Sequence, residues 1–165
     1  MCKKINSYLS MATVTFFIIH ASLMCLLLSG VIPYRPQYSI AAFLLLILAV
    51  AHAALSIFIF FRVKEEKTGT EYWAQNKSTT VQRVMSILLL FMTVLHVKNG
   101  AELWVYQVVY IAIASVHIGV SLPRTLLTAG AVKSETAYKR FQLMSVVLGI
   151  AITVWSAISY GIFAL

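Results

Sequence analysis

Apolar residues in this chain come in five long runs, and the charged residues gather in the short stretches between them. A helix needs about 20 mostly apolar residues to cross the hydrocarbon core of a bilayer. Tyr8–Gly30, Ser39–Phe61, Leu103–Leu122 and Phe141–Phe163 meet that length. A shorter run, Val84–Val97, approaches it if the helix starts nearer Val81, with Arg83 snorkelling to the interface. The pattern predicts an all-α integral membrane protein. It is a bundle of five transmembrane helices, over residues 8–30, 39–61, 81–98, 103–122 and 141–163, forming one membrane domain from 1 to 165. Gly30, Pro33 and Pro36 should end the first helix in a short turn. Asn99 and Gly100 should make a tight turn between the third and fourth helices, and Pro123 should close the fourth, with Gly130 in the loop that follows. The longest and most polar connection is Arg62–Thr80, centred on Gly69.

Composition agrees: 61% of the residues are hydrophobic, five are Glu and none is Asp. The net charge of +8 would suit nucleic acid, but its distribution points elsewhere. Eleven cations (Lys3, Lys4, Arg62, Lys64, Lys67, Lys77, Arg83, Arg124, Lys133, Lys139 and Arg140) lie at the N-terminus and around the second and fourth loops. Only Arg35 and Lys98 lie in the first and third loops. Such asymmetry places the basic side, and with it the N-terminus, in the cytoplasm, and the C-terminus outside. The expectation is therefore a multi-pass membrane protein that contacts lipid and does not bind nucleic acid. Cys2 and Cys25 are too far apart for a disulfide framework, and Cys25 reads as a small packing residue. The first run is too long for the apolar core of a signal peptide and lacks a small-residue cleavage site, so it reads as a retained span.

The candidate chemistry lies in the histidines. All four are inside apolar runs, one in each of the first four: His20, His52, His96 and His117. Ionisable groups at membrane depth are costly and usually face a bundle interior. At 1.5 Å rise per residue, His20 lies roughly 18 Å and His96 roughly 20 Å from the cytoplasmic edge, against roughly 15 Å for His52 and roughly 10 Å for His117. The set splits into an outer pair, His20 with His96, and an inner pair, His52 with His117. One histidine in an apolar helix is commonly a hydrogen-bonded packing residue. Two pairs in two layers suit two bis-histidine haems, because neutral imidazole is a good axial ligand and six-coordinate iron favours electron transfer. Copper or zinc fits less well, because neither pair has sulfur or carboxylate companions. Ala51, Ala53 and Ala54 beside His52, Ala21 and Ser22 beside His20, and Ala114, Ser115 and Gly119 beside His117 should let a macrocycle approach. Arg83 and Arg124 suit the inner haem's propionates, and Lys98 and Arg35 the outer's.

With these residues in view, the chain resembles the dihaem cytochrome b subunit of succinate dehydrogenases and fumarate reductases, the type with one five-helix anchor. The resemblance spans nearly the whole chain. It runs from Ala51-His52-Ala53 through Tyr72-Trp73 and Val81-Gln82-Arg83-Val84 to Leu95-His96-Val97, and again through Val116-His117-Ile118-Gly119 and Leu126–Arg140. It implies two haem b groups, the inner held by His52 and His117 and the outer by His20 and His96. It also implies a membrane quinone, menaquinone or ubiquinone, as substrate, with a flavoprotein and an iron–sulfur protein as cytoplasmic partners. A dimer of the complex would be compatible. The chain would be the quinone-reactive subunit of the enzyme without binding the dicarboxylate itself. Some relatives carry a Glu two residues before the helix-four histidine. Here that residue is Ser115, which removes a carboxylate from any proton path at that point. Tyr34, Arg35, Lys98 and Glu102 are candidates to contact quinone near the outer haem, whereas Trp104, Tyr106, Tyr110 and Trp155 read as an aromatic belt or packing. Alternatives are a stand-alone transmembrane cytochrome of the b561 kind, or a small transporter with histidines along a polar path.

Overall fold

The computed structural model describes residues 2–62, 77–99 and 103–164. Five helices are present among them: α1 (Cys2–Leu28), α2 (Tyr38–Arg62), α3 (Lys77–Asn99), α4 (Trp104–Ala129) and α5 (Glu135–Phe163). All five are long and apolar enough to cross a membrane. The expected features at Lys64, Lys67, Gly69, Tyr72, Trp73, Gly100 and Glu102 lie outside the described residues.

Local chemistry explains three of the helix ends. α1 stops where Gly30 takes a left-handed conformation (φ 71°), and the Val31 amide returns to the Leu26 carbonyl at 3.0 Å. Gly130 (φ 84°) ends α4 in the same way, with the Ala131 amide on the Leu126 carbonyl at 2.9 Å. Val132 and Tyr138 are buried together against Leu126 and Leu127, which ties the α4–α5 turn down. Ser134 then caps α5, accepting a hydrogen bond from the Ala137 amide at 3.2 Å.

Three sequence expectations need correction. First, the helices overrun the apolar runs at the basic end: α1 starts at Cys2 instead of Tyr8, and α5 at Glu135 instead of Phe141. Capping and polar first turns extend a helix beyond the segment that hydropathy alone marks. Second, Pro123 does not close α4, which continues to Ala129 with Pro123 fully buried inside it. Proline is tolerated inside membrane helices, where several local arrangements can satisfy the freed backbone groups. Third, Ala114, Ser115 and Gly119 do not open a space beside His117. All three are buried, and two lie at the α4–α5 contact, where Gly119 meets Val146 and Ser115 meets Gly149. Positions 115 and 119 share a helix face, and residue 117 is about 200° from the first of them at 3.6 residues per turn.

α1, α4 and α5 pack against one another, while α2 packs on α1 and α3 on α4. The buried residues of α5 include Ser145, Gly149, Ile152, Ser156 and Ser159, alternating steps of four and three, the seam of a tightly wound helix pair. Small side chains there let the backbones approach closely, which replaces the hydrophobic driving force that lipid does not supply. Hydroxyl contacts join the seam: Thr153 Oγ1, which donates to the Gly149 carbonyl at 2.8 Å, lies 3.1 Å from Ser115 Oγ, and Ser29 Oγ, which donates to the Cys25 carbonyl at 2.7 Å, lies 3.0 Å from Ser159 Oγ. Cys25 is buried as expected, its Sγ 3.4 Å from Ser156 Oγ.

Candidate functional site

The histidines lie on the other side of the bundle. Between Tyr38 and Phe61 α2 has no fully buried side chain, and between Val81 and Asn99 α3 has only Met92. All four histidines are half-buried, facing the space between α1, α2, α3 and α4 instead of lipid.

His20 of α1 and His96 of α3 meet with ring centroids 6.4 Å apart and planes at 79°. This can be compared with a shared metal. Two metal–nitrogen bonds of about 2 Å, plus roughly 1.1 Å from each nitrogen to its ring centre, place collinear imidazoles about 6 Å apart. The observed centroid separation is close to that distance. His96 is fixed on two sides: Gln107 Oε1 of α4 bonds its Nδ1, and the Tyr110 ring stacks on it at 5.0 Å and 26°. The Tyr110 hydroxyl is itself held by Thr93 Oγ1 at 3.1 Å. Tyr106 reaches back from α4 to the Met92 carbonyl.

The second layer lies nearer the basic end. His52 Nδ1 of α2 bonds Asn6 Oδ1 of α1 at 3.0 Å, and Asn6 Nδ2 donates to Ser56 Oγ at 3.1 Å. His117 Nδ1 of α4 is 3.4 Å from Ser86 Oγ of α3. His52 and His117 are within electrostatic range of each other. A cavity of about 180 Å³ adjoins this layer, lined by Lys3, Asn6, His52, Gln82, Ser121 and Arg124 among others. It contains two cations and no carboxylate, so its chemistry suits acidic groups such as propionates. The donors present, two histidine pairs with cations beside the inner one, are of the kind that haem would use. Among the described residues, no group of three or more His, Cys, Asp or Glu could hold an isolated metal ion.

The two cations expected to serve the inner layer separate. Arg124 lines the cavity, but Arg83 does not; its guanidinium carbon lies 5.1 Å over the Phe60 ring, and Gln82 faces the cavity from α3. Tyr34, Arg35 and Lys98 are exposed at the opposite end. Three residues were missed from the sequence. Asn6 fell before the expected start of the first span, and Tyr110 read as packing. Gln107 is an amide inside an apolar run, and a polar group there has to face the interior, a signal that could have found it.

No protein-family model matches the chain, and no curated protein or solved structure is significantly similar to it.

Proposed function

We propose that the chain is the cytochrome b membrane anchor of a succinate:quinone oxidoreductase or quinol:fumarate reductase. In this reading it sits in a bacterial inner membrane with its basic end in the cytoplasm. It holds two haem b groups and passes electrons between an iron–sulfur partner and a membrane quinone. A flavoprotein partner carries the dicarboxylate chemistry. The observation that carries the reading is the pairing of four intramembrane histidines into two layers, with His20 and His96 at a ring separation of 6.4 Å that suits two ligands of one iron.

The haems, when bound, supply reversible one-electron chemistry at membrane depth. The chain's own residues do the rest. His20 and His96 hold the outer group, and His52 and His117 the inner. Arg124 and Lys3 face the cavity beside His52 and neutralise acidic groups there. Arg83 caps the same end from α3 with its charge over Phe60. The apolar outer faces of α2 and α3 keep water from the two layers.

A pyridine haemochrome assay and a reduced-minus-oxidised spectrum on the detergent-purified chain test the proposal. It expects two b haems per chain, loss of the inner one in His52→Ala or His117→Ala, and loss of the outer one in His20→Ala or His96→Ala. A colourless protein from haem-replete cells would sink it. Two haems with no flavoprotein or iron–sulfur protein co-purifying would move the assignment to a stand-alone cytochrome.

A further inference from the structure

The hydrogen bonds around the histidines share a direction. In each of three rings it is Nδ1 that meets a polar partner: Asn6 Oδ1 for His52, Gln107 Oε1 for His96 and Ser86 Oγ for His117. The two amide oxygens can only accept. The Ser86 hydroxyl has one proton, and it is directed at the Gln82 carbonyl 2.7 Å away, so toward His117 this oxygen also accepts. All three Nδ1 atoms therefore carry hydrogen, and all three Nε2 atoms keep a lone pair.

The outer layer is the most strongly held. Gln107 is 0% exposed, buried between α3 and α4 where its side-chain oxygen meets His96. Tyr110 stands one turn beyond Gln107 on α4 and Thr93 one turn before His96 on α3. The amide oxygen and the stacked ring thus come from one helix face and meet a single imidazole. A buried carbonyl acceptor sets a histidine's tautomer and ring orientation, and makes the opposite nitrogen a stronger base.

We infer that Gln107 is a positioning residue. It holds His96 as the Nδ1–H tautomer with Nε2 available to a metal, and Asn6 does the same for His52. The tautomer follows from the geometry alone; its consequence for haem rests on the cytochrome reading above.

The test uses the full chain with ¹⁵N-labelled histidine, purified in detergent from haem-deficient cells and then titrated with haemin. In the haem-free protein His96 and His52 show a protonated Nδ1 and a bare Nε2. Gln107→Leu releases His96 to the Nε2–H form and weakens haemin binding at the outer site about 10–100-fold, the usual cost of losing such a partner. His52 keeps its tautomer in that variant. Gln107→Glu retains an acceptor and haemin affinity, and lowers the midpoint potential of the outer haem because an anionic acceptor enriches the imidazole. An Nε2–H form of His96 in the wild-type chain would overturn the inference. So would a Gln107→Leu protein with unchanged tautomer and haemin affinity. Should Gln107→Leu fail to fold, an unchanged potential in Gln107→Glu decides against it. If the wild-type chain binds no haemin, the cytochrome reading falls, and the tautomer measurement still decides this one.

Discussion

The two sides of this bundle are built on opposite plans. The α1–α4–α5 side is closed by small residues and hydroxyls, and a methyl group added at Gly149 would lie 3.0 Å from Ser115 Cβ. The α2–α3 side has one fully buried side chain, Met92, among its described residues. Three of its histidines have polar side-chain partners on neighbouring helices. A helix face that supports a bundle needs close backbones. A face that accepts a large planar group needs space, and polar partners already aimed at the ligands. The two requirements conflict on one surface, and on the cytochrome reading proposed above the chain separates them onto two.

The largest test of this contrast is to withhold haem. A ligand bound at a thousand times its dissociation constant stabilises what it binds by about 4 kcal/mol. In chain from haem-deficient cells, hydrogen exchange in α2 and α3 should rise up to about a thousandfold, while the α1–α4–α5 seam keeps its protection. Equal loss on both sides would break the comparison. The second test is on the closed side. Gly149→Val pushes side-chain atoms into the Ser115 backbone carbonyl, which a Cβ would already meet at 3.2 Å. Overpacking of this kind costs about 1–3 kcal/mol, to be read from thermal unfolding in detergent, with α5 separating from α4. Haem content per folded chain should change little.

Smaller effects sharpen the picture. Thr153→Val removes the hydroxyl that bridges to Ser115 at 3.1 Å. Interhelical hydrogen bonds in membranes average about 0.6 kcal/mol, so a downward shift of a degree or two in unfolding temperature is expected. Smallest of all is Glu135→Gln, which breaks the pair with Lys139 at 2.7 Å on the exposed first turn of α5. Exposed pairs one turn apart contribute about 0.3–0.5 kcal/mol. The unfolding temperature should stay within error, which calibrates the seam variants against a change outside it.

Most of the architecture was legible in the chain because membrane helices are selected by hydropathy, a property of the residues themselves. The five spans and the turns at Gly30 and Gly130 follow from composition and glycine conformation. The division of the histidines into layers follows from rise per residue. Pro123 was misjudged because a proline need not end a membrane helix. Ala114, Ser115 and Gly119 were misassigned because being near His117 in sequence is not being on its face.

What the sequence determined by itself is therefore one-dimensional: how many helices there are, and where along its helix each histidine lies. The tertiary structure alone decided which faces meet. It set α4's small residues against α5, brought Asn6 of α1 to His52 of α2, and placed Gln107 and Tyr110 of α4 around His96 of α3. The physical reason is that lipid gives all apolar faces nearly the same energy. Hydropathy can put a helix in the membrane, but its rotation is set only by close packing and by the hydrogen bonds that its few polar groups find on other helices.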